Sequence, residues 1–214
     1  IFWVILFKIL QRDNFFMTLT LKDRDFYLLI DASGSMGTQL PNGQTRWKAA
    51  EEGTLAIARK ANQFDTDGLT LVVFSGRPKL YDNVTDKDVA RIFNENEPNG
   101  STNLAAALKM AFDKINNAKN PNGNILVIVT DGAPDSDSDV TKAIIEQTKK
   151  QEKDEDLGIL FVQIGDDFNA KKFLTMLDDD LEKEGAKFDI VDTMTMDDVG
   201  DKSLTEVLEA AILG

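Results

Sequence analysis

Two short stretches of this chain, Phe26-Tyr27-Leu28-Leu29-Ile30 and Ile125-Leu126-Val127-Ile128-Val129, are apolar at every position and rich in branched side chains. A strand with one wet face alternates polar and apolar residues. A strand without a polar position has both faces covered, which points to a parallel sheet between two layers of helices. Each run closes on a carboxylate, the first on Asp31 and the second on Thr130-Asp131-Gly132. Two buried strands therefore bring two aspartates to the C-terminal edge of one sheet.

The rest of the chain alternates strand and helix patterns. Residues 45–64 read as a helix with Trp47, Ala50, Leu55, Ala58 and Ala61 among its candidate buried positions. Residues 69–74 read as a strand, 79–81 as a hairpin extension beside it, 86–93 as a short helix and 102–115 as a longer one. There follow a helix over 140–151, a strand over 158–164, a helix over 170–183, a short strand over 188–191 and a terminal helix over 203–213. This alternation predicts an α/β fold, doubly wound, with a mostly parallel central sheet, helices on both faces and right-handed crossovers. A chain of 214 residues with 42% hydrophobic composition suits one such domain, expected over residues 17–214.

Asp31-Ala32-Ser33-Gly34-Ser35 places a carboxylate and two hydroxyls at alternate positions just past the first strand. Gly100-Ser101-Thr102-Asn103-Leu104 adds a hydroxyl near the start of a helical pattern. Hard oxygen donors of this kind suit Mg²⁺, which takes near-octahedral oxygen ligands and keeps waters. Taken singly, each piece has a plainer reading. Asp31, Ser33 and Ser35 could form an Asx-turn and a helix cap, Thr102 an N-cap, and Asp131 a turn.

In this order and at these separations, DxSxS, GSTNL and an apolar strand closed by TDG resemble the von Willebrand factor A domain with its metal-ion-dependent adhesion site. The resemblance spans about residues 22–214. It implies a Rossmann-like fold in which the strand bearing Asp31 is central and neighbours the strand bearing Asp131, so that both ends flank a topological switch point. It further implies that Asp31, Ser33, Ser35, Thr102 and Asp131 coordinate a metal ion, some directly and some through water. The ion expected is Mg²⁺, with Mn²⁺ or Ca²⁺ as substitutes. With two carboxylates among its ligands the ion keeps positive character, and an Asp or Glu carboxylate from a protein partner would complete its shell. By the same analogy the terminal helix, 203–213, is a candidate moving element. The segments Val162-Gln163-Ile164-Gly165-Asp166-Asp167 and Ala186-Lys187-Phe188-Asp189-Ile190-Val191-Asp192-Thr193 resemble intracellular, stand-alone microbial members, which implies a cytoplasmic setting; an extracellular adhesin is the alternative.

Composition narrows the function. A formal net charge of -13 disfavours nucleic acid and anionic membranes. The chain has no cysteine, hence no disulfide or thiol chemistry, and no histidine, hence no imidazole base. A metal-dependent protein-binding module is the leading reading, and not an enzyme. A structural subunit of a larger assembly, of the chelatase or ATPase-associated type, is the first alternative. A metal-dependent hydrolase, which needs a positioned base besides the ligands, is the second.

Three segments stand apart. Residues 1–16 begin with an almost wholly apolar run, read as a tag, an upstream segment or a packed tail. The run is far short of the roughly 20 residues that span a bilayer and lacks a basic n-region and an A-x-A site. Asp135-Ser136-Asp137-Ser138-Asp139 precedes a helix and reads as a cap favoured by the dipole rather than a second cation site. Asp178-Asp179-Asp180 reads as a solvated face.

Overall fold

The structure, a computed structural model of the chain, describes residues 23–62 and 68–195. Residues 1–16 and the expected terminal helix over 203–213 lie outside these. The described strands are β1 (Asp25–Asp31), β2 (Leu69–Phe74), β3 (Lys79–Val84), β4 (Asn124–Thr130), β5 (Leu157–Gln163) and β6 (Val191–Thr195). They form one sheet in the order β3-β2-β1-β4-β5-β6. All neighbours pair in parallel except β3, which runs antiparallel to β2 and closes that edge as a hairpin. The described helices are α1 (Arg46–Ala61), α2 (Asp86–Glu95), α3 (Leu104–Ala118), α4 (Asp137–Thr148) and α5 (Phe168–Asp179).

Every residue of β4 and β5 is buried, as is β1 from Phe26 onward, which is what unbroken apolar runs demand. The two-residue period of a strand then divides the core in two. Phe26, Leu28, Ile30, Leu71, Val73, Val127 and Val129 join α1 and α2 on one face. Tyr27, Leu29, Val72, Leu126, Ile128 and Phe161 join α3, α4 and α5 on the other. Trp47 of α1 and Phe93 of α2 meet with ring centroids 4.3 Å apart, locking the first layer together.

β1 lies between β2 and β4, in the register Leu28 to Leu71 and Leu28 to Val127. From β1 the chain builds outward to β2 and β3, then returns to the other side for β4, β5 and β6. The switch point therefore falls between the C-terminal ends of β1 and β4, where open α/β sheets bind ligands.

The structure moves some boundaries. The last described strand runs Val191–Thr195, not 188–191. The Lys187 N–H donates to Thr148 Oγ1 and its ammonium to the Gln151 carbonyl, so this stretch is tied to the end of α4 before the sheet begins. The helix expected over 102–115 starts at Leu104, because Asn103 Oδ1 accepts from the Ala106 N–H as its cap, and it runs to Ala118. The helix expected over 170–183 is Phe168–Asp179, capped by Asp167 Oδ1 on the Ala170 N–H.

Candidate metal centre

Four of the five expected ligands form one hydrogen-bonded set at the switch point. Asp31 ends β1 with no exposed surface. Its Oδ1 accepts from the Ser33 N–H at 2.7 Å and its Oδ2 from the Thr130 hydroxyl at 2.7 Å. The Ser33 and Ser35 hydroxyl oxygens are 3.0 Å apart, and Ser35 donates to Asp131 Oδ1 at 2.8 Å. Because a serine carries one hydroxyl proton, Ser33 is the donor between the two. Ser33-Gly34-Ser35 enters a short 3₁₀ turn, Gly34–Gly37, which lets both hydroxyls reach the same space.

Thr102, buried, reaches this edge from another loop. Gly34 N–H donates to the Gly100 carbonyl at 3.2 Å and Asn99 N–H to the Ala32 carbonyl at 2.8 Å, so the two loops are stapled together. Thr102 is held by Asp135, whose Oδ1 accepts the Thr102 N–H at 2.8 Å and whose N–H returns to the Thr102 carbonyl at 2.9 Å. Among the described residues no hydrogen bond joins the Thr102 hydroxyl to the other four. The acidic run that follows is committed locally, with Ser136 Oγ capping α4 at the Asp139 N–H.

Burial raises the Asp31 carboxyl from the usual carboxylate value to about 6. Hydrogen bonds from Thr130 and Ser33 pull the other way, and the nearby Asp131 charge adds a smaller push upward. Asp131, also without exposed surface, is compensated differently, since its Oδ2 meets Arg46 Nη1 at 2.7 Å.

Arg46 is the residue that sequence reasoning missed. It is the first residue of α1, whose opening turn carries no acidic side chain. A cation at the positive end of a helix opposes the macrodipole, and that mismatch is the signal that could have singled it out. Thr130 and Asp135 had no such signal, since a hydroxyl and a carboxylate beside a turn are ordinary.

The donor set suits a hard divalent cation. Two carboxylates and two hydroxyls, Asp31, Asp131, Ser33 and Ser35, are gathered at one sheet edge with Thr102 on the adjoining loop, and Asp31 and Asp131 keep further lone pairs beyond the hydrogen bonds they accept. Among the described residues no group of three or more carboxylates gathers to hold an ion. Neutral oxygens must therefore supply the rest of any shell here.

Comparison with known proteins agrees with this architecture. The sequence profile of the von Willebrand factor type A domain matches residues 26–133, which contain the sheet centre and all five candidate ligands. No curated protein matches the sequence significantly. Solved structures with the same fold include a von Willebrand factor type A protein from Catenulispora acidiphila, 18% identical, covering 81% of this chain and 38% of that one at a TM-score of 0.57. The manganese-loaded TRAP protein of Plasmodium vivax is 15% identical over 83% of this chain and 70% of its own, at a TM-score of 0.58. The pilus adhesin SpaC of Lactobacillus rhamnosus GG is 15% identical over 90% of this chain and 30% of its own, at 0.58. This chain thus spans well under half of the first and third of these structures, and at such identities the likeness is one of fold. The profile match together with the six-stranded sheet places the chain in the von Willebrand factor type A domain family.

Proposed function

We propose that this domain is a metal-dependent protein-binding module whose divalent cation, Mg²⁺ by the chemistry of its donors, is held by Asp31, Ser33, Ser35, Thr102 and Asp131. The observation that carries the reading is the continuous chain from Ser33 through Ser35 to Asp131, with Asp31 fixed beside it. Bound there, the ion would act as a Lewis acid that accepts a carboxylate oxygen from an Asp or Glu of a partner protein. The protein's own part is positional. Thr130 and the Ser33 N–H fix the Asp31 carboxylate, Ser35 holds Asp131 through Oδ1, and Asp135 fixes the loop that bears Thr102.

The manganese-loaded state of the Plasmodium structure supports a divalent ion in a domain of this fold, and Mn²⁺ is the natural substitute for Mg²⁺ at such donors. The pilus adhesin supports a role in attachment rather than catalysis. The chain offers no imidazole or thiol as a base, and both carboxylates at the centre are engaged in hydrogen bonds or an ion pair. Among the described residues no helix is long and apolar enough to cross a membrane.

Titration calorimetry of Mg²⁺, Mn²⁺ and Ca²⁺ into metal-free protein tests the reading. One-to-one binding is expected, weakened by about 100-fold or more in Asp31→Ala, since even residues that merely support a ligand are worth 10 to 100-fold in metal affinity. No binding by the folded wild type would overturn it and favour the structural-subunit alternative.

A further inference from the structure

Arg46 is an unusual neighbour for a metal centre, because it is itself a cation. Its Nη1 donates to Asp131 Oδ2 at 2.7 Å, its side chain is only 16% exposed, and its Nε is buried without a partner among the described residues. The other side of the guanidinium rests on Gly165, in the loop that leaves β5. Gly165 has φ +83°, and a Cβ there would lie 3.0–3.1 Å from Nη2, Nε and Cζ, so the absence of a side chain makes the seat in which Arg46 lies. The arginine is therefore pinned between an expected metal ligand and the backbone of a third loop, and its charge is fixed in place.

The charges at the loaded centre can be counted on the metal reading proposed above. A divalent ion and the two ionised carboxylates Asp31 and Asp131 sum to zero, and Arg46 raises the sum to plus one. A centre whose charges sum to zero favours a carboxylate over water or an amide oxygen less strongly than one with a net positive charge. A centre with a residual positive charge inside a buried network favours an anion, because the effective dielectric is low there.

We propose that Arg46 sets the ligand preference of this site: it keeps the metal-loaded centre cationic, so that a carboxylate is selected over a neutral oxygen ligand, at the expense of weaker metal binding. The inference rests on the metal-binding reading. The competing role for Arg46 is positional, a donor that merely orients Asp131. The two roles predict opposite signs. Removing a positioning donor weakens metal binding, whereas removing a neighbouring positive charge strengthens it.

The deciding experiment titrates Mn²⁺ into wild type, Arg46→Gln and Arg46→Lys, following water-proton relaxation. Acetate, and then acetamide as its neutral counterpart, is titrated into each Mn²⁺-loaded protein, where displacement of metal-bound water lowers the relaxation enhancement. Arg46→Gln is expected to bind Mn²⁺ about tenfold more tightly and acetate about tenfold more weakly than wild type, with acetamide unchanged. Arg46→Lys, which keeps the charge, should follow wild type. Circular dichroism checks that each variant folds, and Arg46→Met replaces Arg46→Gln with the same expectations if the glutamine variant does not. Equal or weaker Mn²⁺ binding by the uncharged variant, or an unchanged acetate affinity, would overturn the proposal while leaving the metal site intact. Failure of wild type to take up Mn²⁺ is a different result and would remove the metal reading and this inference together.

Discussion

The two edges of the sheet bury polar groups in different ways. At the N-terminal edge, the buried side chains bond mainly to main-chain oxygens. Arg24 Nη1 donates to the Glu155 carbonyl at 2.8 Å and Asn124 Nδ2 to the Asp156 carbonyl at 3.1 Å, while the half-buried Asn120 Nδ2 divides between the Asp23 carbonyl at 2.9 Å and Asp25 Oδ1 at 2.7 Å. At the C-terminal edge, side chains bond to one another across elements, from Ser33 to Ser35 to Asp131 to Arg46. Main-chain acceptors are fixed by the fold and cannot change partners without unfolding it. A network whose members are all side chains can exchange a hydrogen bond for a metal ion or a ligand oxygen. Stability is thus held at one end of the sheet while the other remains available for chemistry.

The largest expected effect tests the first half of that contrast. Gly123 opens the approach to β4 with φ +87°, and a Cβ there would lie 2.4 Å from the Glu155 carbonyl oxygen and 2.7 Å from Arg24 Nη1. The conflicting atoms include backbone, so a flexible side chain cannot absorb it all. Gly123→Ala should cost roughly 4 kcal/mol in denaturant unfolding, from left-handed strain together with overpacking. It should leave Mg²⁺ affinity unchanged in whatever fraction stays folded. A variant that lost metal affinity without losing stability would show that the two edges are coupled and break the contrast.

The second effect lies at the C-terminal edge and is smaller. In the metal-free protein the Asp31 carboxyl titrates near 6, whereas in the unfolded chain it has its ordinary value of 3.8. The folded state thus binds this proton more tightly, so the Asp31 contribution is most unfavourable above pH 6 and is relieved as pH falls towards 4. The difference is about 3 kcal/mol, and it can be isolated by comparing wild type with Asp31→Asn, which does not titrate. Moving from pH 7.5 to 4, wild type should gain about 2 kcal/mol of that relative to Asp31→Asn in the presence of chelator. Saturating Mg²⁺ at pH 7.5 should abolish the penalty in wild type and leave Asp31→Asn unaffected. A flat difference across this range would mean that the carboxylate is well solvated, and the edge would lose its special character.

What could be read from the sequence divides along physical lines. β1 and β4 were legible because burial on both faces keeps polar residues out of their central positions, 26–30 and 125–129, and the ligand motif because Asp31, Ser33 and Ser35 lie within five residues of one another. The supporting contacts were not legible. Arg46 meets Asp131 across 85 positions and Thr130 meets Asp31 across 99, and although the helix start marks Arg46 as out of place, nothing local in it names Asp131 as its partner. β6 was misplaced because Phe188-Asp189-Ile190-Val191 has the more strand-like composition. The strand that forms is half-buried after Val191 and is anchored by a side chain, Asp178 Oδ2 accepting from the Thr193 N–H and hydroxyl. Local pattern thus reports burial well, and it reports poorly on which distant side chain satisfies a buried one.

The smallest effect concerns Phe168, at the start of α5 in the same loop region as Gly165. Among the described residues it is the large hydrophobic side chain left exposed, at 75%. Its neighbours in sequence are engaged, Asp167 capping the helix and Gly165 seating Arg46, so the ring is not needed to build the turn. Removing an aromatic ring that is already in water costs little transfer free energy, and Phe168→Ser should change unfolding free energy by less than about 0.5 kcal/mol. Metal affinity should not change either, because the residue has no part in the hydrogen-bonded set. A loss above 1 kcal/mol would instead mean that the ring packs in solution. The C-terminal edge would then contain an apolar clasp of its own, and the division between a stabilising edge and a chemical edge would have to be redrawn with Phe168 on the stabilising side.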